Sequence, residues 1–141
     1  MLSTRPRPNA TDQHTSTRVS SRGAISVDEK VTLRSLAAVL GELDIGAAIV
    51  ARPDGSAGLV SERDLVRAIA EGAEPDEVWA ADVMVVDLVL AEPEETVLDV
   101  AARMSAESVR HIAVVDRGKI VGVVSARDVL AVLADHARAR S

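Results

Sequence analysis

The sequence predicts an α/β fold of two pseudosymmetric β-α-β-β-α repeats that pack through their sheets. A constant offset of 64 residues aligns 19–72 with 83–136 without a gap, and both stretches alternate extended and helical patterns in the same order. The alignment contains 11 identities in 54 pairs, and five of them fall within residues 58–64. That window reads Gly-h-h-Ser-x-Arg-Asp in both copies, where h is aliphatic, so a local feature is repeated in addition to the core.

Each repeat begins with a short extended segment, GAISV from Gly23 and DLVLA from Asp87. A helix follows, because apolar residues recur at helical spacing in TLRSLAAVLGEL and TVLDVAARMSAE, and Thr32 and Thr96 are suitable N-caps. Two aliphatic strands separated by a turn come next, GAAIVA with AGLV and HIAVVD with IVGVV. The helical segments SERDLVRAIAEG and SARDVLAVLADHA complete the two repeats.

The repeat also sets the expected domain boundaries. They are a flexible N-terminal tail at 1–18, repeats at 19–72 and 83–136, a linker at 73–82 and a C-terminal tail at 137–141. A repeat of about 55 residues buries little surface alone, so the two halves should share an interface. Trp79 in the linker is expected to fill that seam as a buried aromatic residue.

Composition argues against nucleic acid and membranes as partners. The net charge is −6, and base-stacking side chains are nearly absent, with one Trp and no Phe or Tyr. The charge is uneven, because residues 1–22 carry +3, so DNA binding through the basic tail stays open as a third possibility. Cysteine is absent, and no segment reads as a membrane span or secretory signal, which favours a soluble cytoplasmic protein.

The repeated motif places a serine where a strand gives way to a helix and an aspartate three residues later: Ser61 with Asp64, and Ser125 with Asp128. The simplest interpretation is a capping box, in which each side chain bonds the backbone amide of the other residue. Two features favour more than a cap. Capping boxes prefer the longer Glu or Gln, and Gly58 and Gly122 remove side chains where a ligand could approach.

A nucleoside phosphate would suit this set of groups. Free amides at a helix start attract phosphate, and a nearby carboxylate can accept from both hydroxyls of a ribose. Arg63 and Arg127 add a possible charged fork for phosphate. Two copies of the motif indicate two related sites.

On these residues the chain resembles a pair of cystathionine-β-synthase (CBS) domains, the tandem called a Bateman module. The resemblance covers residues 19–136 and rests on the doubled motif, TVLDVAARM with its weaker twin TLRSLAAVL, and HIAVVD. It implies a regulatory module that binds AMP, ADP, ATP, S-adenosylmethionine or NAD in clefts between the repeats. Such a module requires no cofactor and signals to a partner protein or through its own homodimer, for which SLAAVL and DVAARM offer apolar faces.

The resemblance also implies roles for individual residues. Asp64 and Asp128 would hold the ribose hydroxyls, with Ser61 and Ser125 beside the ribose or phosphate. The residues expected to line the base pockets are Ala24, Ile25, Leu88 and Val89 in the opening segments, and Ala47, Ala48, His111 and Ile112 in the strands before the turns. We expect the two clefts to be unequal, because Gly46-Ala47 in the first repeat stands opposite Arg110-His111 in the second.

Metal binding and catalysis have little support in the sequence. His14, His111 and His136 lack metal-ligand spacing, and no nucleophile-base pairing or phosphate-binding loop is present. The competing interpretation from a different class is a ligand-free dimerisation scaffold, in which the Ser-x-x-Asp motif serves only as a helix cap.

Overall fold

The computed structural model describes residues 22, 23 and 25–139, without the side chains of Arg22, Gly23, His136 and Ala139. The expected tail at 1–18 and the expected pocket residue Ala24 lie outside the described residues. At the other end the last helix extends through residue 139, so the segment 137–139 is helical backbone.

One compact unit comprises residues 24–88. In chain order it contains β2 (Ser26–Asp28), α1 (Leu33–Leu43), β3 (Ala47–Ala51), β4 (Ala57–Ser61), α2 (Glu62–Ala70) and α3 (Ala80–Val83). The sheet order is β2-β3-β4, with β2 parallel and β4 antiparallel to β3. Helix α1 makes the crossover that a parallel pair requires.

The other compact unit comprises residues 89–139 together with Arg22 and Gly23. Its elements are β1 (Arg22–Gly23), β5 (Leu90–Ala91), α4 (Val97–Glu107), β6 (His111–Asp116), β7 (Lys119–Ser125) and α5 (Ala126–Ala139). The sheet order is β1-β7-β6-β5, and β5 is parallel to β6. The predicted α/β class and the β-α-β-β-α order of both repeats are confirmed.

The compact units differ from the sequence repeats in their opening segments. Gly23 opens the first repeat, yet it pairs antiparallel with Gly122 on β7 of the second. Val85 belongs to the opening of the second repeat, yet it exchanges two backbone hydrogen bonds with Leu59 on β4, at 2.9 and 2.8 Å. Each unit therefore completes its sheet with a segment from the start of the other repeat.

Helical periodicity places one apolar face of each long helix in a core. The first core contains Leu36, Leu40, Ala48, Val50, Val60 and Ala80, and the second contains Ala91, Val97, Val100, Met104, Ile112, Val114, Val124 and Val129. Burying a side chain such as Leu36 stabilises the fold by about 1.5–3 kcal/mol. Since α1 and α4 direct these residues inward, they are not exposed for dimerisation, and a homodimer through the apolar faces of SLAAVL and DVAARM stays a prediction.

Trp79 differs from its prediction as a buried plug, because its side chain is 42% exposed. Its backbone forms a β-bridge with Thr32 and precedes α3, which holds the chain against the start of α1 and leaves the indole outside the core. The Nζ of Lys30 lies 5.7 Å from the ring centroid, a cation–π contact.

Candidate functional site: two strand-to-helix junctions

Both copies of the Ser-x-Arg-Asp motif form a closed capping box. The Asp64 amide donates to Ser61 Oγ at 3.2 Å, and the Ser61 amide donates to Asp64 Oδ2 at 2.8 Å. The corresponding distances for Asp128 and Ser125 are 3.0 and 2.8 Å. The shorter reach of aspartate therefore does not prevent the reciprocal bonds, and this argument against a simple cap is lost.

The same device occurs outside the motif. At the start of α4, Thr96 and Asp99 exchange the same two bonds, each at 3.2 Å. Because this box lacks the repeated Gly-h-h-Ser-x-Arg-Asp context, the Ser-x-x-Asp spacing does not by itself distinguish a ligand site from a cap.

The amides at the starts of α2 and α5 are mostly engaged, contrary to the expected free N–H groups. The first amide of each helix donates to a backbone carbonyl: Glu62 to Gly46 at 2.9 Å, and Ala126 to Arg110 at 2.8 Å. The third amide donates to the motif serine. Only the second, that of Arg63 or Arg127, lacks such an acceptor among the described residues. A phosphate at these junctions would thus depend more on side chains than on the helix terminus.

Gly58 serves packing, contrary to its expected role of leaving room for a ligand. A Cβ on Gly58 would lie 2.5 Å from Met84 Sδ and 3.0 Å from the Val85 carbonyl oxygen. Met84 packs against the first core at this place. The glycine therefore permits the close approach of the segment that pairs with β4.

The side chains left for recognition are a carboxylate and two guanidinium groups. Asp64 is half-buried, and its bonds to Ser61 engage Oδ2, including one of 3.0 Å from Ser61 Oγ. No described residue donates to its Oδ1. Arg63 and Arg127 are exposed and form no ion pair with any residue in 22–23 or 25–139.

The predicted lining residues of β3 and β6 divide between two faces. Ala47 lies directly opposite Ser61, and His111 lies directly opposite Ser125, so these pairs share a face of their sheets. Ala48 and Ile112 project to the other face, where both are completely buried in the cores. Their side chains offer no surface to a ligand in this structure, so we omit them from the candidate site.

The opening segments lie next to the same strands. The Ile25 carbonyl accepts from the Ile49 amide of β3 at 2.8 Å, and the Val89 carbonyl accepts from the Ala113 amide of β6 at 3.1 Å. Leu88, like these two residues, is half-buried. The structure thus brings Ile25 to the strand of Ala47, and Val89 to the strand of His111.

Sequence reasoning missed a buried ion pair in the unit of residues 89–139. Glu95 is 5% exposed and holds Arg103 through both carboxylate oxygens, and Arg103 Nη1 also donates to the Leu90 carbonyl at 2.6 Å. The hydrogen bonds that Arg103 donates to Glu95 raise the pKa of the Arg103 guanidinium. The pair lines a cavity of about 580 Å³ with Asp116 and Arg117. The repeat does not predict this ion pair, because the equivalent residues of the first repeat, Val31 and Val39, are valines.

Two further features bear on the class of protein. No group of three or more His, Asp or Glu within the described ranges is arranged to hold a metal ion. None of the helices in this part of the chain has the length and apolar character needed to cross a bilayer.

The CBS domain family matches two stretches of the chain, residues 17–71 and 80–135. A CBS-domain protein from Agrobacterium tumefaciens, ATU1752, superposes with a TM-score of 0.77 at 28% identity, covering 86% of this chain and 96% of that one. PAE2072 from Pyrobaculum aerophilum, solved with AMP, has a TM-score of 0.73 at 29% identity, covering 86% and 98%. The CBS pair of MJ0100, solved with 5′-methylthioadenosine and S-adenosyl-L-methionine, has a TM-score of 0.73 at 22% identity, covering 83% and 99%, and shows the fold alone.

The chain therefore belongs to the CBS domain family and contains two CBS domains in tandem. Among curated relatives, MK0525 from Methanopyrus kandleri is 31% identical over 117 residues, which are 81% of this chain and 60% of that protein. The match to MJ1225 from Methanocaldococcus jannaschii spans 31% of its length. The chain thus corresponds to only part of these longer relatives.

Proposed function

We propose that this chain is a regulatory module, not an enzyme, and that it binds an adenosine-containing nucleotide at its Ser-x-Arg-Asp junctions. The observation that carries the proposal is that Arg63 and Arg127 form no ion pair with any residue that the structure describes. A cation near a helix N-terminus opposes the helix dipole, and the capping box does not use it. Arg34 occupies the equivalent position in α1, but there it pairs with Asp76 at 2.6 Å. Arg63 and Arg127 have no such partner among the described residues, so a phosphate is the proposed one.

The carboxylate supplies the second half of the recognition. Asp64 keeps its cap through Oδ2, which leaves Oδ1 to accept from a ribose hydroxyl, while Arg63 binds the phosphate. In the other unit Asp128 caps α5 through its own Oδ2, and Arg127 stands beside it as the proposed phosphate ligand. Support for AMP as a ligand comes from the complex of the relative that is 29% identical. A ligand that prefers one arrangement of the module shifts its population by the difference in affinity, which is how occupancy would reach a partner.

Titration calorimetry with AMP, ADP, ATP, S-adenosylmethionine and NAD tests the proposal. Arg63→Met and Arg127→Met should each weaken binding of AMP at their own site by about 10- to 150-fold, the scale of a charged hydrogen bond. Binding of adenosine, which has no phosphate, should change little. Arg67→Met is the matched control, because Arg67 is also exposed on α2 but lies beyond the first turn.

A second comparison separates binding from capping. Asp64→Ala should remove both the cap and the ribose contact, whereas Asp99→Ala removes a capping box that lies outside the repeated motif. If both variants lose stability and neither loses affinity, the motif aspartate serves the helix alone. If no nucleotide binds the parent chain at millimolar concentration, the proposal fails.

The alternative function, a dimerisation scaffold, has one supporting observation. Val66 on α2 and Leu130 on α5 occupy equivalent positions, and their side chains are 69% and 65% exposed. We propose these two helices as the contact surface of a homodimer, in place of α1 and α4. Val66→Lys with Leu130→Lys should convert a dimer to monomers in sedimentation equilibrium, whereas Arg67→Met should not. A parent chain that sediments as a monomer would exclude this surface.

A further inference from the structure

The two strand-to-helix junctions share one backbone arrangement. The first amide of α2, that of Glu62, donates to the carbonyl of Gly46 at 2.9 Å. The first amide of α5, that of Ala126, donates to the carbonyl of Arg110 at 2.8 Å. Each acceptor is the residue directly before β3 or β6. The side chains at these positions therefore begin beside a helix start in both units, and a difference between them acts at the same place.

Three differences between the junctions change the charge, and all have the same direction. We call residues 44–47 with 61–64 the first junction, and residues 108–111 with 125–128 the second junction. At each of three aligned positions the second junction has the more positive residue: Ser108 for Asp44, Arg110 for Gly46 and Ala126 for Glu62.

The two junctions consequently have opposite net charges. In the first, Arg63 stands against three carboxylates, which gives a formal charge of −2. In the second, Arg110 and Arg127 stand against one carboxylate, which gives +1 with His111 counted as neutral. The difference of three unit charges acts on a ligand that both junctions would hold through the same motif.

The side chains that cause this difference are accessible to a ligand. Asp44, Glu62 and Arg110 are exposed. Glu62 and Arg110 form no ion pair with any residue in 22–23 or 25–139, so no side chain in this part of the chain neutralises them. At separations of about 8 Å and the dielectric constant of water, three unit charges change the affinity for one added negative charge by about tenfold.

We propose that the two junctions select their nucleotides by charge, an inference that rests on the proposed function. The second junction takes an adenine nucleotide with more than one phosphate, because Arg110 adds a second guanidinium to that of Arg127. The first junction takes AMP, because Asp44 and Glu62 disfavour a further negative charge. The module then responds to two different nucleotides.

A titration followed by amide signals in nuclear magnetic resonance reports on each junction separately. AMP and ADP are added in separate titrations to the full chain, without divalent cations and at low ionic strength. Kd is then obtained from residues 61–64 for the first junction and from residues 125–128 for the second. The ratio of the Kd for AMP to the Kd for ADP should be about tenfold larger at the second junction. Equal ratios, or a larger ratio at the first junction, would overturn the proposal.

Single substitutions assign the selection to the charges that differ. Arg110→Met should lower this ratio at the second junction by about two- to threefold. Lys119→Met is its matched control, because Lys119 is exposed at the opposite end of β7 from Ser125. Glu62→Gln should raise the ratio at the first junction, and Glu71→Gln, at the other end of α2, is its control. If the controls act as strongly as the junction variants, overall charge causes the preference and the proposal is wrong.

The proposed function and this inference fail in different ways. If neither nucleotide shifts the signals of either junction at millimolar concentration, both fail. If both junctions bind AMP and ADP with the same ratio of Kd values, nucleotide binding stands and only the selection by charge is wrong. The amide signals away from the junctions verify that each variant remains folded.

Discussion

The buried pair of Glu95 and Arg103 gives the sharpest stability prediction. Arg103→Val leaves a carboxylate that is 5% exposed with the Glu92 amide, at 2.7 Å, as its remaining hydrogen-bond donor among the described residues. Removing one partner of a buried ion pair costs about 3–5 kcal/mol, because the other charge stays in a poorly solvating site. Urea unfolding followed by circular dichroism should show a loss of this size.

A variant that replaces both Glu95 and Arg103 tests whether the unpaired charge causes the loss of stability. The equivalent residues of the first repeat are Val31 and Val39, both half-buried, so Glu95→Val with Arg103→Val copies a pair the fold already accommodates. It should recover most of the stability, since replacing both partners by apolar groups is often neutral. Arg138→Ala, which breaks an exposed pair with Asp135, should stay within about 0.5 kcal/mol.

Either of two results would contradict the conclusion that the unpaired Glu95 carboxylate destabilises the fold. One is a loss below about 1 kcal/mol for Arg103→Val, which would mean that water reaches Glu95 and screens it. The other is a double variant as unstable as the single one, which would mean that lost packing, and not the unpaired charge, accounts for the effect.

Three other changes have defined directions. Gly58→Ala should cost about 1–3 kcal/mol in urea unfolding, because its Cβ would press on Met84 Sδ at 2.5 Å, and shortening Met84 to Ala in the same chain should relieve that pressure. Gly41→Ala should add about 0.5–1 kcal/mol in the same assay, since no atom lies within 4 Å of the new Cβ and glycine disfavours a helix. The hydrogen bond from Arg34 lowers the pKa of Asp76 below its ordinary value of 3.8. Their pairing should therefore stabilise the fold fully above about pH 3.8, and this stabilisation should be lost as the pH falls through the lower pKa that Asp76 has in the folded state. Asp76→Asn should flatten the acid limb of a plot of melting temperature against pH.

Each of these three results has a contrary outcome. An unchanged Gly58→Ala variant would mean that Met84 rotates away freely. A destabilised Gly41→Ala variant would indicate that another chain approaches α1 closely at that point. An acid limb that Asp76→Asn leaves unchanged would show that solvent screens the exposed pair completely.

Local pattern predicted most of the fold, and long-range partners were not predictable from it. Helical spacing placed Leu36 and Val100 in cores, and the position of Ser61 at a strand end predicted its capping role. Nothing around Gly58 in the sequence indicates Met84, because the two meet only through the pairing of Val85 with β4. The arginines of the candidate site were predicted from their repetition, but only the structure shows that they have no ion-pair partner within 22–23 and 25–139.

Under the proposed function Asp64 would both cap α2 and hold a ribose, and this pair of roles affects how relatives of this chain are interpreted. A descendant that no longer needs its nucleotide would still be selected to keep Asp64, because losing it exposes the first turn of α2. Sequence surveys that use the motif aspartate to identify nucleotide-binding modules would therefore include modules that no longer bind a nucleotide. The neighbouring Arg63, which takes no part in the capping box, would then be the better marker of a site still in use.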